Sequence, residues 1–393
     1  LGQPRHLRTN PFPPGGGVNL SRRTLLTGAG AAVVLGGCTP LLRESRNLRG
    51  ATGPIKTAEG DQSLQVRRWN RIGYGPRPGD IARTESNGWE SIVDEQLKAS
   101  QEEPPELQFQ LRRLDIFHFS PKDLRALPEH EVIRQLQTAA LLRAIASPNQ
   151  LRERMVEFWS DHFNIDSKKA YGAFALTADQ DSVIRKHALG SFPEMVKASA
   201  HSPAMLAYLD NQVNRRGVVN ENYGRELLEL HTLGVRSGYT QKDVLETARC
   251  FTGWTIEDGF LKKGGSFVFD AELHEPGARE VLGHRIPAGG QEQGERVLEI
   301  VTMHPWTARH IGGKIARHFL GEQAGDWPDR LAQIYLETGG NITAMLRPLL
   351  LSDEFGAVGA GLAKRPYDLV VSTVRALDGV TDGRSGLQDG LTE

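Results

Sequence analysis

With 393 residues, 39% of them hydrophobic, the chain is long enough for one large or two ordinary domains with a substantial buried core. Its 47 basic and 48 acidic residues leave a formal charge of −1, which excludes a globally basic surface of the kind that binds nucleic acid. Only Cys38 and Cys250 occur, so a disulfide framework is excluded as well.

The N-terminal stretch "SRRTLLTGAGAAVVLGGC" sets Arg22 and Arg23 before a mild apolar run from Thr24 to Leu35. That run is too short to cross roughly 30 Å of hydrocarbon as a permanent helix. It has the form of a twin-arginine export signal. It closes on Leu35, Gly36, Gly37 and Cys38, the form of a lipoprotein processing box with Cys38 as the lipidated residue; a signal cut elsewhere, with an incidental cysteine, is the alternative. Residues 1–38 are therefore expected to be signal, and removing residues 1–37 takes away Arg5, Arg8, Arg22 and Arg23 but no acid, leaving a mildly acidic protein. The expected location is periplasmic or outer-surface, with the membrane a partner through the lipid anchor. The twin-arginine route carries folded proteins, so it permits cytoplasmic loading of a cofactor without requiring it. The first residue is Leu rather than Met, which points to a trimmed start.

Residues 39–66 are polar with scattered Gly and no sustained periodicity, and read as a flexible tether. Beyond them the pattern is helical. Helices are predicted in "WESIVDEQLKA" from Trp89, "EHEVIRQLQTAALLRAIAS" from Glu129, "NQLRERMVEFWSDHFNI" from Asn149, "FPEMVKASAHSPAMLAYL" from Phe192, "NENYGRELLELHTLG" from Asn220, "YTQKDVLETARCFTGW" from Tyr239, and again from Gln291 to Leu377. In "FLKKGGSFVFD" two short extended runs flank Gly264 and Gly265 and predict a hairpin. The expected fold class is mostly α: one multi-helix globular domain over residues 67–393 with a small β-hairpin insertion.

The helix from Asn220 carries the most chemistry. At about 100° per residue, Tyr223, Leu227, Leu230 and Leu233 share one arc; Glu226 falls inside it, Glu229 at its edge, and His231 on the opposite edge. Asn220 suits the N-terminal cap and Gly234 a left-handed C-terminal one. A buried Glu226 needs a cation, several donors or a proton. An internal ion pair with Arg249 or Arg154 would supply it, and so would a metal or catalytic role.

Elsewhere, Leu151, Met155, Phe158, Trp159 and His162 form one helical stripe, in which His162 is either a core histidine or a metal ligand and proton carrier. Thr240 and Asp243 make a capping-box start, and Glu246 and Arg249 an i, i+3 ion pair. Cys250 reads as buried filler. Pro276 and Gly277 mark a turn that would present His274 and Glu275 on a substrate-facing loop. His310, Lys314 and His318 form an i, i+4, i+8 basic stripe expected to face solvent or a partner. The close-spaced zinc motifs and the G-x-S-x-G elbow are absent, as are the E-x-x-H partners of a di-iron bundle.

The ordered segments "WNRIGYGPRPGD", "FWSDHFNI", "NYGRELLELHTLG", "YTQKDVLETARCFTGW", "HEPGAREVLGHRI", "HPWTARHIGGKIARHF", "SDEF" and "KRPYDLVVSTVRAL" together resemble the bacterial domain-of-unknown-function family numbered eighteen hundred, from about residue 66 to 377. The resemblance implies a secreted, largely helical domain, often encoded beside another exported family that becomes a candidate partner, with no established reaction. The family pattern includes Glu226, Glu229, His231, Gly234, His162, Gly253 and Trp254. This chain has Gly224 where Ala is usual, Glu275 where Asp is usual, and Arg279 where Lys is usual, departures expected to matter little. Family members usually continue past Glu393, so the domain is expected to be C-terminally truncated.

Two functions follow. One is a metal-assisted enzyme of unknown reaction with Glu226, Glu229 and His162 as catalytic groups and as ligands of a divalent metal. The other is a non-catalytic binding or assembly protein of the envelope, its Glu, Arg and His network structural.

Overall fold

The computed structural model describes residues 63–98, 102–169, 172–257, 265–357 and 364–383. The chain divides into Leu1–Asp61 and Gln62–Glu393, and every described residue lies in the second unit. Arg22, Arg23 and Cys38, with the export segment and most of the tether, lie outside the described residues. The last part of the expected tether is already helix: Leu64–Ile72 starts where Ser63 Oγ accepts the Val66 amide at 3.4 Å.

The architecture is mostly α-helical, as the periodicity predicts, with eighteen α-helices among the described residues and two two-stranded antiparallel ribbons where one hairpin is expected. Helices form where the sequence predicts them, at Trp89–Leu97, Glu129–Ala146, Gln150–His162 and Gln241–Cys250. The stretch from Phe192 splits into Phe192–Ala200 and Pro203–Tyr208. Pro203 has no amide hydrogen and belongs in a first turn, so the chain bends at His201–Ser202 instead of continuing. Helices resume from Glu292 to Ala376.

In the first ribbon, β1 (Trp254–Glu257) pairs with β2 (Ser266–Phe269), Trp254 opposite Phe269. The second strand is the predicted run after Gly265; the run expected before Gly264 lies outside the described residues. A second ribbon, β3 (Arg279–Val281) and β4 (His284–Ile286), is not expected from the sequence. Its two-residue turn has φ of 51° at Leu282 and 77° at Gly283, the doubly positive geometry that matches hairpin twist. Leucine resists that conformation, and Asp243 Oδ1 compensates by accepting the Leu282 amide at 2.7 Å. The same Asp243 completes the capping box with Thr240, so one carboxylate ties a helix start to a hairpin tip.

Trp69, Trp89, Trp159, Trp254 and Trp327 all lie in the main core. Trp69 donates its indole N–H to Thr84 Oγ1 at 2.9 Å, Trp89 to the Leu350 carbonyl at 2.8 Å, and Trp159 to the Ala188 carbonyl at 3.0 Å. These three large rings are thereby buried without stranding their polar edges. A smaller cluster of Leu107, Leu111, Leu124, Val132 and Phe174 covers the outer side of Glu129–Ala146. Each such side chain contributes about 1.5–3 kcal/mol by leaving water.

Two glycines set helix spacing. A Cβ on Gly312 would lie 2.9 Å from the Pro328 carbonyl oxygen, and one on Gly224 would lie 3.0 Å from the Ala248 amide nitrogen and 3.1 Å from the Val244 carbonyl oxygen. The departure at Gly224 therefore does matter: it lets Asn222–Glu226 lie directly on Gln241–Cys250. Gly224→Ala is expected to destabilise the domain by about 1–3 kcal/mol, because the atoms it meets are backbone and cannot rotate away. Chemical unfolding of that single variant checks it; unchanged stability would mean that the two helices can separate freely.

Candidate functional site

The helix from Asn220 is not regular. It runs as α-helix over Asn222–Glu226 and as π-helix over Leu227–His231, then closes with Thr232 Oγ donating to the Leu227 carbonyl at 2.5 Å and the Gly234 amide donating to the Leu228 carbonyl at 3.2 Å. Single π turns recur at functional positions in proteins. In this helix the wider turn re-aims the C-terminal half. Leu228 and His231 face inward, while Leu230, predicted inside the apolar arc, is 49% exposed. Asn220 Oδ1 accepts the Asn222 amide at 2.9 Å, and Gly234 takes the expected positive φ of 88°.

His231 thereby joins the buried His162 in a cluster completed by the half-buried His310 and Lys314. His162 ends the stripe whose other members, Leu151, Met155, Phe158 and Trp159, are all buried as predicted. Its Nε2–H donates to the His231 carbonyl at 3.0 Å, and its Nδ1 accepts from Lys314 Nζ at 2.7 Å. That assignment fixes the neutral tautomer, since Lys314 is a donor and a carbonyl an acceptor. The His231 and His310 rings each lie 6.2 Å from the His162 ring, and Phe163 and Phe192 close the sides at 4.7 and 5.9 Å. Gly234 makes room: a Cβ there would fall 2.8 Å from His310 Nδ1.

The electrostatics are uniform in sign. Burial, then the Lys314 charge, holds His162 well below the ordinary histidine range and brings His231 down to about 4. Burial and Lys314 lower His310 as well. Lys314 is itself lowered, mainly by burial, with Asp161 opposing the shift. The cluster is three neutral imidazoles around one partly desolvated amine. The stripe of His310, Lys314 and His318, expected to face solvent or a partner, is instead half-buried against the chain's own residues. His318 packs edge-on against Phe158 at 5.0 Å and is pushed down to about 3 by burial and by Arg154.

The two glutamates stand apart from this cluster. Glu226 is half-buried; burial and its neighbour Glu229 raise its pKa while Arg225 opposes them. Glu229 accepts the Tyr239 hydroxyl at 2.8 Å, and burial together with that bond pushes the phenol up to about 12. The expected ion pair of Glu226 with Arg249 or Arg154 does not form. Arg249 binds Glu246 at 2.6 Å and Glu275 at 3.3 Å, while Arg154 binds Glu157 and Asp368, both at 2.9 Å. Partial exposure explains the difference, because Glu226 keeps water and needs no buried cation.

Among the described residues no group of three His, Cys, Asp or Glu side chains is placed to hold a metal ion, so Glu226, Glu229 and His162 do not converge as one donor set. His274 and Glu275 also differ from expectation. His274 is buried, with Nδ1 at 2.8 Å from the Thr252 carbonyl and Nε2 at 3.0 Å from Gln293 Oε1, and Glu275 faces Arg249 and Arg279. The second ribbon folds this segment back onto the helix end, so it is a clasp rather than an open loop. Cys250 is buried filler, its thiol pushed up to about 12 by burial.

The buried carboxylate that does need a cation is Glu153, which helical spacing alone does not single out. Arg185 grips it through two bonds of 2.9 and 2.6 Å, and Glu103 lies 3.5 Å from the same guanidinium. Arg185 ends a second π segment, Gln180–Arg185. The available signal was Glu153 flanked by Arg152 and Arg154 inside a helix whose apolar stripe leaves little room for solvent.

A mostly helical domain pinned internally by a neutral histidine cluster and a buried Glu–Arg pair defines an architectural class before it defines a chemistry. The chain belongs to the family described as "Protein of unknown function (DUF1800)", which it matches over residues 67–391. No curated protein and no solved structure is significantly similar to it.

Proposed function

We infer that this is a cell-envelope protein, exported by the twin-arginine route and held at the membrane by a lipid on Cys38, in which the helical domain serves binding or assembly and the Glu, Arg and His network is scaffold. One observation carries the scaffold reading: both ring nitrogens of His162 are engaged, one by the His231 carbonyl and one by Lys314, so the imidazole joins three segments of the chain and offers no lone pair to a ligand. The envelope reading is supported by Arg22 and Arg23 before a short apolar run that ends at Cys38. Among the described residues no helix is long and apolar enough to cross a membrane. In this reading the lipid, or a partner such as a co-encoded exported protein, holds the protein at the membrane. Changing Arg22 and Arg23 both to Lys is expected to leave precursor in the cytoplasm, and Cys38→Ser to release the protein from washed membranes. Normal export of the first variant, or unchanged fractionation of the second, would remove the corresponding part of the reading.

The enzymatic alternative is favoured by one feature, the half-buried Glu226 with a raised pKa just before the π turn that carries Glu229, whose carboxylate accepts the Tyr239 hydroxyl, an arrangement suited to handling a proton. In that reading a divalent metal would have to be completed by groups beyond this pair. Elemental analysis of natively exported protein, with and without Glu226→Gln, separates the two: stoichiometric metal that Glu226→Gln abolishes supports the enzyme, and a metal-free parent supports the scaffold.

A further inference from the structure

On the face of the domain where Lys98 ends the helix Trp89–Leu97, a small cavity of about 240 Å³ is lined by Leu97, Lys98, Arg152, Arg185, Lys186 and Leu189. Every ionisable group in that lining is a cation. Arg152 and Arg185 are 6% and 7% exposed, while Lys98 and Lys186 stand in solvent at the mouth. Arg152 Nη2 reaches the Arg185 carbonyl at 3.4 Å, which locks the two arginine-bearing segments together. Counter-charge sits behind, not within, the cavity: Glu153 takes the Arg185 fork, and Glu103 is shared between Arg185 at 3.5 Å and Arg143 at 3.6 Å. Asp181 is the further carboxylate acting on Arg152. Lys98, Arg152, Arg185 and Lys186 thus present four cations to one concave surface, and among the described residues no carboxylate lines it.

We propose that this cavity is a binding site for a phosphate group. The donors approach from three segments, the end of one helix, the first turn of another and the π segment with its following loop. A tetrahedral oxyanion can bond to all of them at once, whereas a planar carboxylate can satisfy fewer. The buried arginines are held in place before the ligand arrives, Arg185 by Glu153 and Arg152 by the Arg185 carbonyl, so little ordering is lost on binding. The exposed lysines add attraction at the mouth that salt will screen. The volume admits a phosphate with a small part of the alcohol it esterifies. A soluble phosphate ester and a phospholipid headgroup share that chemistry. The site shares Arg185 with the Glu–Arg pair of the scaffold but no residue with the histidine cluster whose His162 carries that reading, so phosphate binding and the stability of the histidine cluster are tested separately.

The test uses the full chain carrying Cys38→Ser, so that no acyl group contributes. Inorganic phosphate is titrated calorimetrically at constant ionic strength, with chloride as the control anion. Saturable one-site binding is expected, weakened about tenfold when Lys98 and Lys186 are both changed to Gln and lost in Arg152→Gln. The lysine double variant changes only exposed groups and keeps the test valid should Arg152→Gln fail to fold. A second arm measures sedimentation with phosphatidylcholine vesicles containing phosphatidylglycerol. Vesicle binding displaced by phosphate assigns the ligand to a headgroup, and phosphate binding without vesicle binding assigns it to a soluble ester. Absence of saturable phosphate binding, or binding undiminished in the lysine double variant, overturns the proposal.

Discussion

Glu153→Gln is expected to cost the domain about 3–5 kcal/mol, more than Gly224→Ala, because it breaks a buried ion pair from one side. Glu153 is 4% exposed, and its two oxygens take both arms of the Arg185 fork. The glutamine keeps the shape and removes the charge. Arg185 would then be left buried with Glu103 at 3.5 Å as its remaining carboxylate, and a buried guanidinium cannot shed its proton to escape the cost. Burial alone would raise the Glu153 pKa, but Arg185, then Arg143 and Arg152, outweigh it and hold the carboxyl below its ordinary value. Its folded pKa being depressed, its stabilisation is present above the unfolded value of about 4.3 and is lost as pH falls through the folded one. Glu103 shifts oppositely, raised by burial and by Glu153, so the two carboxylates are unequal partners of one cation. Urea unfolding of Glu153→Gln at neutral pH measures the effect, and a loss under about 1 kcal/mol would place the pair in effective contact with water.

The second large effect is acid sensitivity from the histidine cluster. His231 titrates near 4 in the folded domain and near about 6.5 unfolded. As pH falls through that window the unfolded chain takes up a proton that the folded one refuses. Stability is therefore full above about pH 6.5 and declines towards pH 4, by about 3 kcal/mol from His231 alone. His162 and His310 are lowered in the same direction and steepen the decline. Unfolding free energies across that pH range check the slope, and His231→Phe, which keeps a ring in the same apolar setting, should flatten it. A profile that stays level from neutral pH to about 4.5 would mean that the cluster opens to water.

Most of the helical frame was legible because burial writes itself into periodicity. Leu151, Met155, Phe158 and Trp159 recur at helical spacing and are buried at that spacing, and Thr240 with Asp243 announces a helix start that forms as written. The site was less legible, for a reason visible at Leu230. Angular reasoning assumes one pitch, and the π turn over Leu227–His231 changes the pitch mid-helix, turning Leu230 out and His231 in. Nothing in the sequence of that segment alone marks the change. The half-buried stripe was hidden differently: His310 and Lys314 are neighbours by spacing, but their partner His162 is 152 positions from Lys314 and only the fold brings it to 2.7 Å. Ion-pair partners failed in the same way, since Arg154 and Arg249 each have closer carboxylates than Glu226. The hairpin at β3–β4 was obscured by Leu282, a residue that ordinarily argues against the turn it occupies.

The scaffold reading makes His162 a structural joint rather than a ligand or proton carrier, and chemical unfolding of His162→Phe at neutral pH tests it most directly. Phenylalanine preserves the ring among Trp159, Phe163 and Phe192 but removes both polar bonds, leaving the His231 carbonyl without its buried donor and the half-buried Lys314 Nζ without its acceptor. A loss of about 2–4 kcal/mol is expected of a joint. Stability that is unchanged or raised would contradict it, as expected of a residue kept for chemistry at the expense of packing.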